Sequence, residues 1–299
     1  ENGFEELRET DRWSIKKGGS YFTTRNGSSL IAFRVGKTLD DYHFQVTSSH
    51  CDSPTFKVKE KAELKGKGGY LQLNTEGYGG MICSSWMDRP LSLAGRVLMR
   101  EGNTVTSRLV AFDRDLLIIP NVAIHMNRSI NDGFAFNKQV DMLPLFSAGE
   151  CGEDSYRELI AQELGVDPQS ILGMDMYLYN RTAPSIWGAK KEFISSPKLD
   201  DLQCACTSLK AMIQAENDRC VTVYACFDNE EVGSGTKQGA CSTFLRDVLQ
   251  RINDGLGFDG EDYRRAVAGS FMVSCDNAHA VHPNHLEKTD AENCTWMNK

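Results

Sequence analysis

Two adjacent carboxylates, Glu230 and Glu231, follow the β-branched run Val221, Thr222 and Val223 and stand where a strand should end. On an open helix face such a pair costs little. In the partly dry crevice at the mouth of a buried strand, like charges repel and raise each other's proton affinity. A cation beside them removes the repulsion. Groups of the same character recur along the chain: His50 with Asp52, Asp200 with Asp201, and Asp276. An imidazole and several carboxylates at strand ends make a donor set for a divalent metal, and the chemistry such a set serves is hydrolysis.

Each motif has its own logic. His50-Cys51-Asp52 closes an extended segment, where residues i and i+2 point to one side. A ligating imidazole gives its other ring N–H to an acceptor, and Asp52 has the spacing for that; a surface pair without a role would look the same. Lys198-Leu199-Asp200-Asp201 opens a helix, where Asp caps free N–H groups and suits the dipole. Capping accounts for one Asp and does not ask for two. A carboxylate there can also bridge two cations about 3.5–4 Å apart.

At Glu230-Glu231-Val-Gly-Ser-Gly, neighbouring side chains on a turn face different ways. One can bind metal while the other stays free as a general base; an exposed acidic loop is the plain alternative. Asp276 follows the last strand, and three of the six His (His279, His282, His285) come soon after it. Each of those His could serve as ligand, substrate contact or interface residue. Rival chemistries have no foothold: GxSxG, HExxH, a complete P-loop and a Rossmann glycine pattern are all missing.

The elements that must carry these groups follow two grammars. Residues 29–35 and 42–48 alternate like two strands joined by Gly-Lys-Thr-Leu-Asp-Asp. From residue 186 onward strand and helix patterns alternate: a helix over 199–215, a strand over 220–227, an amphipathic helix over 241–254 and a strand over 270–275. That alternation predicts an α/β fold, a mostly parallel sheet with helices on both faces and ligands beyond the carboxyl ends of its strands. Residues 69–74, 94–100 and 105–112 alternate too, among glycine clusters, with a helix pattern only at 154–164. The expected domains are therefore 1–53 with 186–299, and an inserted β-rich domain over 54–185.

Composition narrows the class. The chain has 299 residues, is 40% hydrophobic and 25% charged, and contains 8 Pro, as an ordered two-domain protein does. A net charge of −8 with no basic run argues against a nucleic-acid partner. No 18-residue apolar span suggests a membrane. The ten Cys form no CxxC pair, and several sit in apolar patterns, so reduced thiols and a cytoplasmic location are expected. Glu1 in place of Met, and an end at Met297-Asn298-Lys299 without a terminal helix, lead us to expect a fragment of a longer chain.

Taken in order, the motifs resemble those of the M18 metallo-aminopeptidases, the family of aspartyl aminopeptidases and the vacuolar aminopeptidase I type. They are His50-Cys-Asp-Ser-Pro, Gly77-Tyr-Gly-Gly, Trp86-Met-Asp-Arg, Leu93-Ala-Gly-Arg-Val, Ala123-Ile-His125-Met-Asn-Arg and Phe136-Asn-Lys-Gln. Leu199-Asp-Asp-Leu, Phe227-Asp-Asn-Glu230-Glu231-Val-Gly-Ser and Ala278-His279-Ala-Val-His282-Pro-Asn complete the set. The resemblance implies a zinc-peptidase domain of the phosphorylase/hydrolase-like kind, interrupted by a dimerisation or lid domain, and assembly into a tetrahedral dodecamer. It implies two zinc ions, with manganese and cobalt as alternatives. His50, Asp200 and Asp276 would hold one metal, and Asp200 would bridge to a second bound by Glu231.

The resemblance also makes Glu230 the general base and Asp52 the partner that orients His50. His125 would arrive from a neighbouring subunit to touch substrate or metal, while His279 and His282 would be substrate or interface residues. The family's last ligand to the second metal, a His, and the Lys resembling the reader of acidic substrates would lie beyond Lys299, and an N-terminal helical segment would precede Glu1. The implied activity is release of the N-terminal residue of a peptide, acidic in the aspartyl members. Two alternatives stand beside it: a related two-metal amidohydrolase acting on acylated amino acids, and an inactive fragment serving only assembly.

Overall fold

The computed structural model describes residues 2–298. The chain opens with strands β1 (Glu5–Glu6), β2 (Ser20–Arg25), β3 (Ser29–Val35) and β4 (Phe44–His50). Then come β5 (Thr55–Lys65), β6 (Tyr70–Tyr78), β7 (Leu91–Glu101), β8 (Thr104–Ala111) and β9 (Leu145–Ala148). Helix α1 (Ser155–Leu164) precedes β10 (Ile171–Asn180), β11 (Ser185–Trp187) and β12 (Phe193–Ser195). The last third holds α2 (Leu199–Gln214), β13 (Val221–Phe227), α3 (Phe244–Gly255), α4 (Gly260–Ala268) and β14 (Phe271–Ser274). These elements form two compact units, residues 1–53 with 198–299, and residues 54–197.

The first unit is built on a six-stranded sheet in the order β1-β2-β3-β13-β4-β14. Strand β13 sits at its centre because Val221–Phe227 is a near-continuous apolar run with only Thr222 not fully buried, the pattern of a strand covered on both faces. It pairs antiparallel with β3 and parallel with β4. Strands β3 and β4, joined by the Gly-Lys-Thr-Leu-Asp-Asp segment as the sequence suggests, are therefore not neighbours, because β13 lies between them. The connecting turn instead folds onto the segment that feeds β13: Gly36 donates to Cys220 O at 3.0 Å and Thr38 to Asp218 O at 2.9 Å. A Cβ at Gly36 would lie 2.3 Å from Asp218 O, so only glycine permits that approach.

The sheet is mixed: β1–β2, β13–β4 and β4–β14 are parallel, while β2–β3 and β3–β13 are antiparallel. Period-two alternation along β13 distributes the helices. Val221, Val223, Ala225 and Phe227 share one cluster with Phe33, Phe44 and Val46, and with Phe244, Val248 and Ile252 of α3 and Ala266 of α4. Tyr224 and Cys226 point the other way, onto Ala205 and Met212 of α2. Each fully buried Val, Phe or Ile here contributes about 1.5–3 kcal/mol through area removed from water. The result is a rigid central strand whose carboxyl end is fixed from both sides.

The second unit carries an antiparallel six-stranded sheet, β8-β7-β10-β5-β6-β9. Its core joins Phe56, Leu73, Leu91, Leu93, Val97, Met176 and Leu178 to Tyr156 and Ile160 of α1. The short pair β11–β12 also falls within residues 54–197, whereas the sequence reading drew the boundary after 185. The chain folds back on itself there, pairing Ser185 with Ser195, before it leaves the unit. Among the described residues no helix is long and apolar enough to cross a membrane.

Candidate metal centre

Strands β13, β4 and β14 run parallel side by side, so their carboxyl ends open at one edge of the first unit. His50 is the last residue of β4, Glu230 and Glu231 follow β13, Asp276 follows β14, and Asp200 and Asp201 start α2. The imidazole forms the floor: its side chain is 6% exposed, against 54% for Asp200 and 55% for Asp276 at the rim. His50 Nε2 lies 3.4 Å from Asp200 Oδ1 and 3.8 Å from Asp276 Oδ1. Candidate ligand atoms of His50, Asp200, Asp201 and Asp276 all fall within 4.8 Å of one another, and so do those of His50, Glu230 and Glu231.

Asp52 links the two groups. Its Oδ1 is 3.3 Å from His50 Nδ1, the ring nitrogen turned away from Asp200 and Asp276. The same carboxylate accepts the backbone N–H groups of Glu230 and Glu231, each at 3.1 Å. One buried side chain therefore orients the imidazole and pins the turn that presents both glutamates. The turn is held from its other side by Asn229, whose left-handed φ of 64° Asn tolerates well. Asn229 Oδ1 accepts from Thr236 Oγ1 at 2.7 Å and from Gln238 Nε2 at 2.8 Å.

Asp201 has a role that the sequence did not reveal. It is fully buried. Its Oδ2 accepts the backbone N–H of His50 at 3.0 Å, and its Oδ1 accepts from Asn277 Nδ2 at 3.3 Å. Asn277 also donates to Leu199 O at 2.9 Å. Asp201 thus ties the end of β4, the start of α2 and the loop after β14 to each other. Capping does not account for Asp201, whose carboxylate is taken up by the His50 amide and by Asn277 rather than by the N–H groups of α2. The available signal was the second Asp, which a helix cap had no use for.

The electrostatics describe an excess of negative charge. Burial, then the neighbouring Glu230 and Asp52, push the Glu231 carboxyl up to about 7. Burial and Asp276 raise Asp200 in the same direction. Burial works against a charged His50, but Asp201, Asp52, Glu230 and Asp276 together outweigh it and raise the imidazole. Each shift marks a place where a cation would replace a proton. One imidazole among several carboxylates is a donor set that zinc accepts, and the residues present fit it.

His125 lies in an exposed turn of the second unit, while the clustered groups all belong to the first. His279 and His282 are exposed and absent from both clusters among the described residues. His282 Nδ1 accepts from the Asn284 backbone at 3.2 Å, and its ring packs 5.1 Å from that of His285. Within the first unit the structure therefore brings together His50, Asp52, Asp200, Glu230, Glu231 and Asp276, and His279 and His282 are not among them.

Asp201→Asn should weaken zinc binding by about 10–100-fold, the usual cost of losing a group that orients a ligand. The amide would turn an N–H₂ toward the His50 N–H or leave it with a poorer acceptor. Calorimetric titration of zinc into the metal-free protein checks this. An unchanged affinity would reduce Asp201 to a packing role.

An imidazole–carboxylate cluster at the carboxyl ends of parallel strands defines a metal-centred α/β protein of the hydrolase type. Comparison with known proteins makes this specific. Residues 1–299 match the family described as Aminopeptidase I zinc metalloprotease (M18). The chain belongs to that family. It is 47% identical over 296 residues to the Probable M18 family aminopeptidase 2 of Clostridium acetobutylicum, covering 97% of this chain and 68% of that protein. Its counterpart of the same name in Pseudomonas aeruginosa is 39% identical, with 99% and 69% covered.

Among solved structures, a chain of the cryo-EM structure of the Ape4 and Nbr1 complex superposes with a TM-score of 0.93 at 37% identity. That match covers all of this chain and 62% of the other, so the chain spans less than two thirds of it. The mApe1 dodecamer of Saccharomyces cerevisiae superposes with a TM-score of 0.83 at 26% identity, over 99% of this chain and 69% of the other.

Proposed function

We propose that the first unit is the catalytic part of an aminopeptidase that works with two zinc ions and removes the N-terminal residue of peptides. The observation that carries this reading is the pairing of Glu230 with Glu231 on a turn anchored by Asp52 beside His50. His50, Asp200 and Asp276 would hold one zinc, and Asp200 with Glu231 would contribute to the second. When bound, zinc supplies a Lewis acid and makes water easier to deprotonate near neutral pH. Glu230, left free at the rim, takes the proton of the attacking water and returns it to the leaving amine. Asp52 keeps the imidazole in one tautomer by accepting from Nδ1–H, and Asp201 fixes the backbone behind it.

A free α-amine suits the surplus of carboxylates at the rim, which favours action at chain ends. An acidic N-terminal residue is the specificity proposed from the aspartyl branch of the family. The second unit is proposed to serve self-association. Assembly into a dodecamer is proposed from the yeast relative described as one; dimers within it, a tetrahedral arrangement and the reach of His125 into a neighbour's site are proposed from the family resemblance. Ten free thiols suit a cytoplasmic setting.

The test is a substrate panel on zinc-loaded protein, comparing peptides bearing a free N-terminus with their N-acetylated counterparts. The reading predicts turnover of the free-amine set alone. Preference for the acetylated set would replace it with the amidohydrolase reading.

A further inference from the structure

Two free cysteines lie directly behind the metal centre and take no part in it. Strand β4 pairs parallel with β13 so that Ser49 faces Cys226 and His50 faces Phe227. The ladder continues one residue past β4, where the Cys51 N–H donates to Phe227 O at 2.9 Å. Cys51 and Ser49 are two residues apart, so both point to the face that carries Cys226. The diagonal relation of Cys51 to Cys226 repeats that of Ser49 to Tyr224, whose hydroxyls meet at 2.9 Å.

Contact agrees with register. Cys51 packs against the cluster formed by Ala205, Met212, Tyr224 and Cys226, and neither thiol is in a disulfide. Cys226 is buried and Cys51 half-buried, so Cys51 is the more accessible of the pair to a small oxidant.

We propose that Cys51 and Cys226 are a redox modification site, a thiol pair that hydrogen peroxide converts to a disulfide and that thereby loosens the metal centre. The balance is simple. Two S–H bonds and the peroxide O–O bond break, one S–S bond forms, and two waters leave; sulfur is oxidised and peroxide oxygen reduced. With strands about 4.8 Å apart and a rise of about 3.3 Å per residue, diagonal neighbours offset by two residues lie about 8 Å apart between Cα atoms, more than the roughly 4.4–6.8 Å that a disulfide spans. Closing the bond must draw Cys51 toward β13. Cys51 stands between His50 and Asp52, and Asp52 also holds the amides of Glu230 and Glu231. The same displacement therefore disturbs a ligand and the turn that carries the glutamates.

The choice of this thiol pair rests on strand register and packing; its effect on the metal rests on the zinc reading given above. The test treats the zinc-loaded protein with peroxide, alkylates the remaining thiols, and maps non-reduced peptides by mass spectrometry. A Cys51–Cys226 cross-linked peptide should appear, lighter by two hydrogens and reversed by dithiothreitol. Zinc transfer to a chromogenic chelator should become about tenfold faster or more in step with it. Cys226→Ala should bind zinc normally and show no such acceleration.

Complete alkylation of Cys51 and Cys226 after peroxide, or cross-links only to other cysteines, would overturn the proposal. A cross-link with unchanged zinc transfer would overturn its control of the centre. Failure of the reduced protein to bind zinc at all would overturn the metal reading and leave the cross-link standing.

Discussion

Glu230→Gln should lower kcat on a free-amine peptide by about 100- to 10,000-fold while leaving zinc content and zinc affinity unchanged. The argument rests on position. Glu230 is exposed at the rim on the same turn as Glu231, and its backbone N–H is held by Asp52. Glutamine keeps the shape and the hydrogen-bonded turn but cannot accept the proton of the attacking water. KM should change little, since substrate affinity does not need a proton acceptor. Paired measurements of kcat and of zinc stoichiometry on the same sample check the prediction. Full activity with normal zinc would show that the base is another group, and loss of zinc would show that Glu230 is a ligand.

Asp200→Asn should remove zinc binding and invert the effect on stability. Asp200 is the carboxylate within reach of His50 and Asp276 that also raises the proton affinity of Glu231, so it touches both proposed metal positions. Its loss should cost more than the roughly 10–100-fold in affinity lost with a group that only orients a ligand. In the metal-free protein the substitution relieves repulsion among crowded carboxylates, so Tm should hold or rise. In wild type, zinc at about one hundred times its Kd should add about 2.7 kcal/mol of stability. The variant should gain none. Thermal scans of both proteins with and without zinc give all four values. A full zinc-induced rise in the variant would move the metal away from Asp200.

The sequence was most legible where local pattern and tertiary demand agree. Val221–Phe227 reads as a buried strand because it is a near-continuous apolar run rich in β-branched and aromatic residues, and Phe244, Val248 and Ile252 at helical spacing read as the face of α3. The donor residues were legible because a carboxylate pair at a strand end has no cheap structural reason. Strand order was not. Which strand lies beside β3 depends on a contact between Gly36 and the segment at 218–220, far apart in sequence, and no local period encodes it.

Asp201 escaped for a related reason. Its partners, the amide of His50 and the side chain of Asn277, come from segments about 75 to 150 residues away. The histidines after β14 were less legible: their sequence left them as ligand, substrate contact or interface residues, and the exposed His279 and His282 are in neither candidate cluster among the described residues.

The central claim is that zinc is held by residues at the carboxyl ends of β4, β13 and β14. Diffraction from crystals grown with zinc, recorded on both sides of the zinc absorption edge, tests it most directly. The account predicts an anomalous peak bounded by His50 Nε2, Asp200 and Asp276, with a second on the side of Asp200 that faces Glu231. Zinc bound elsewhere, or no peak among these residues at saturating zinc, would contradict it.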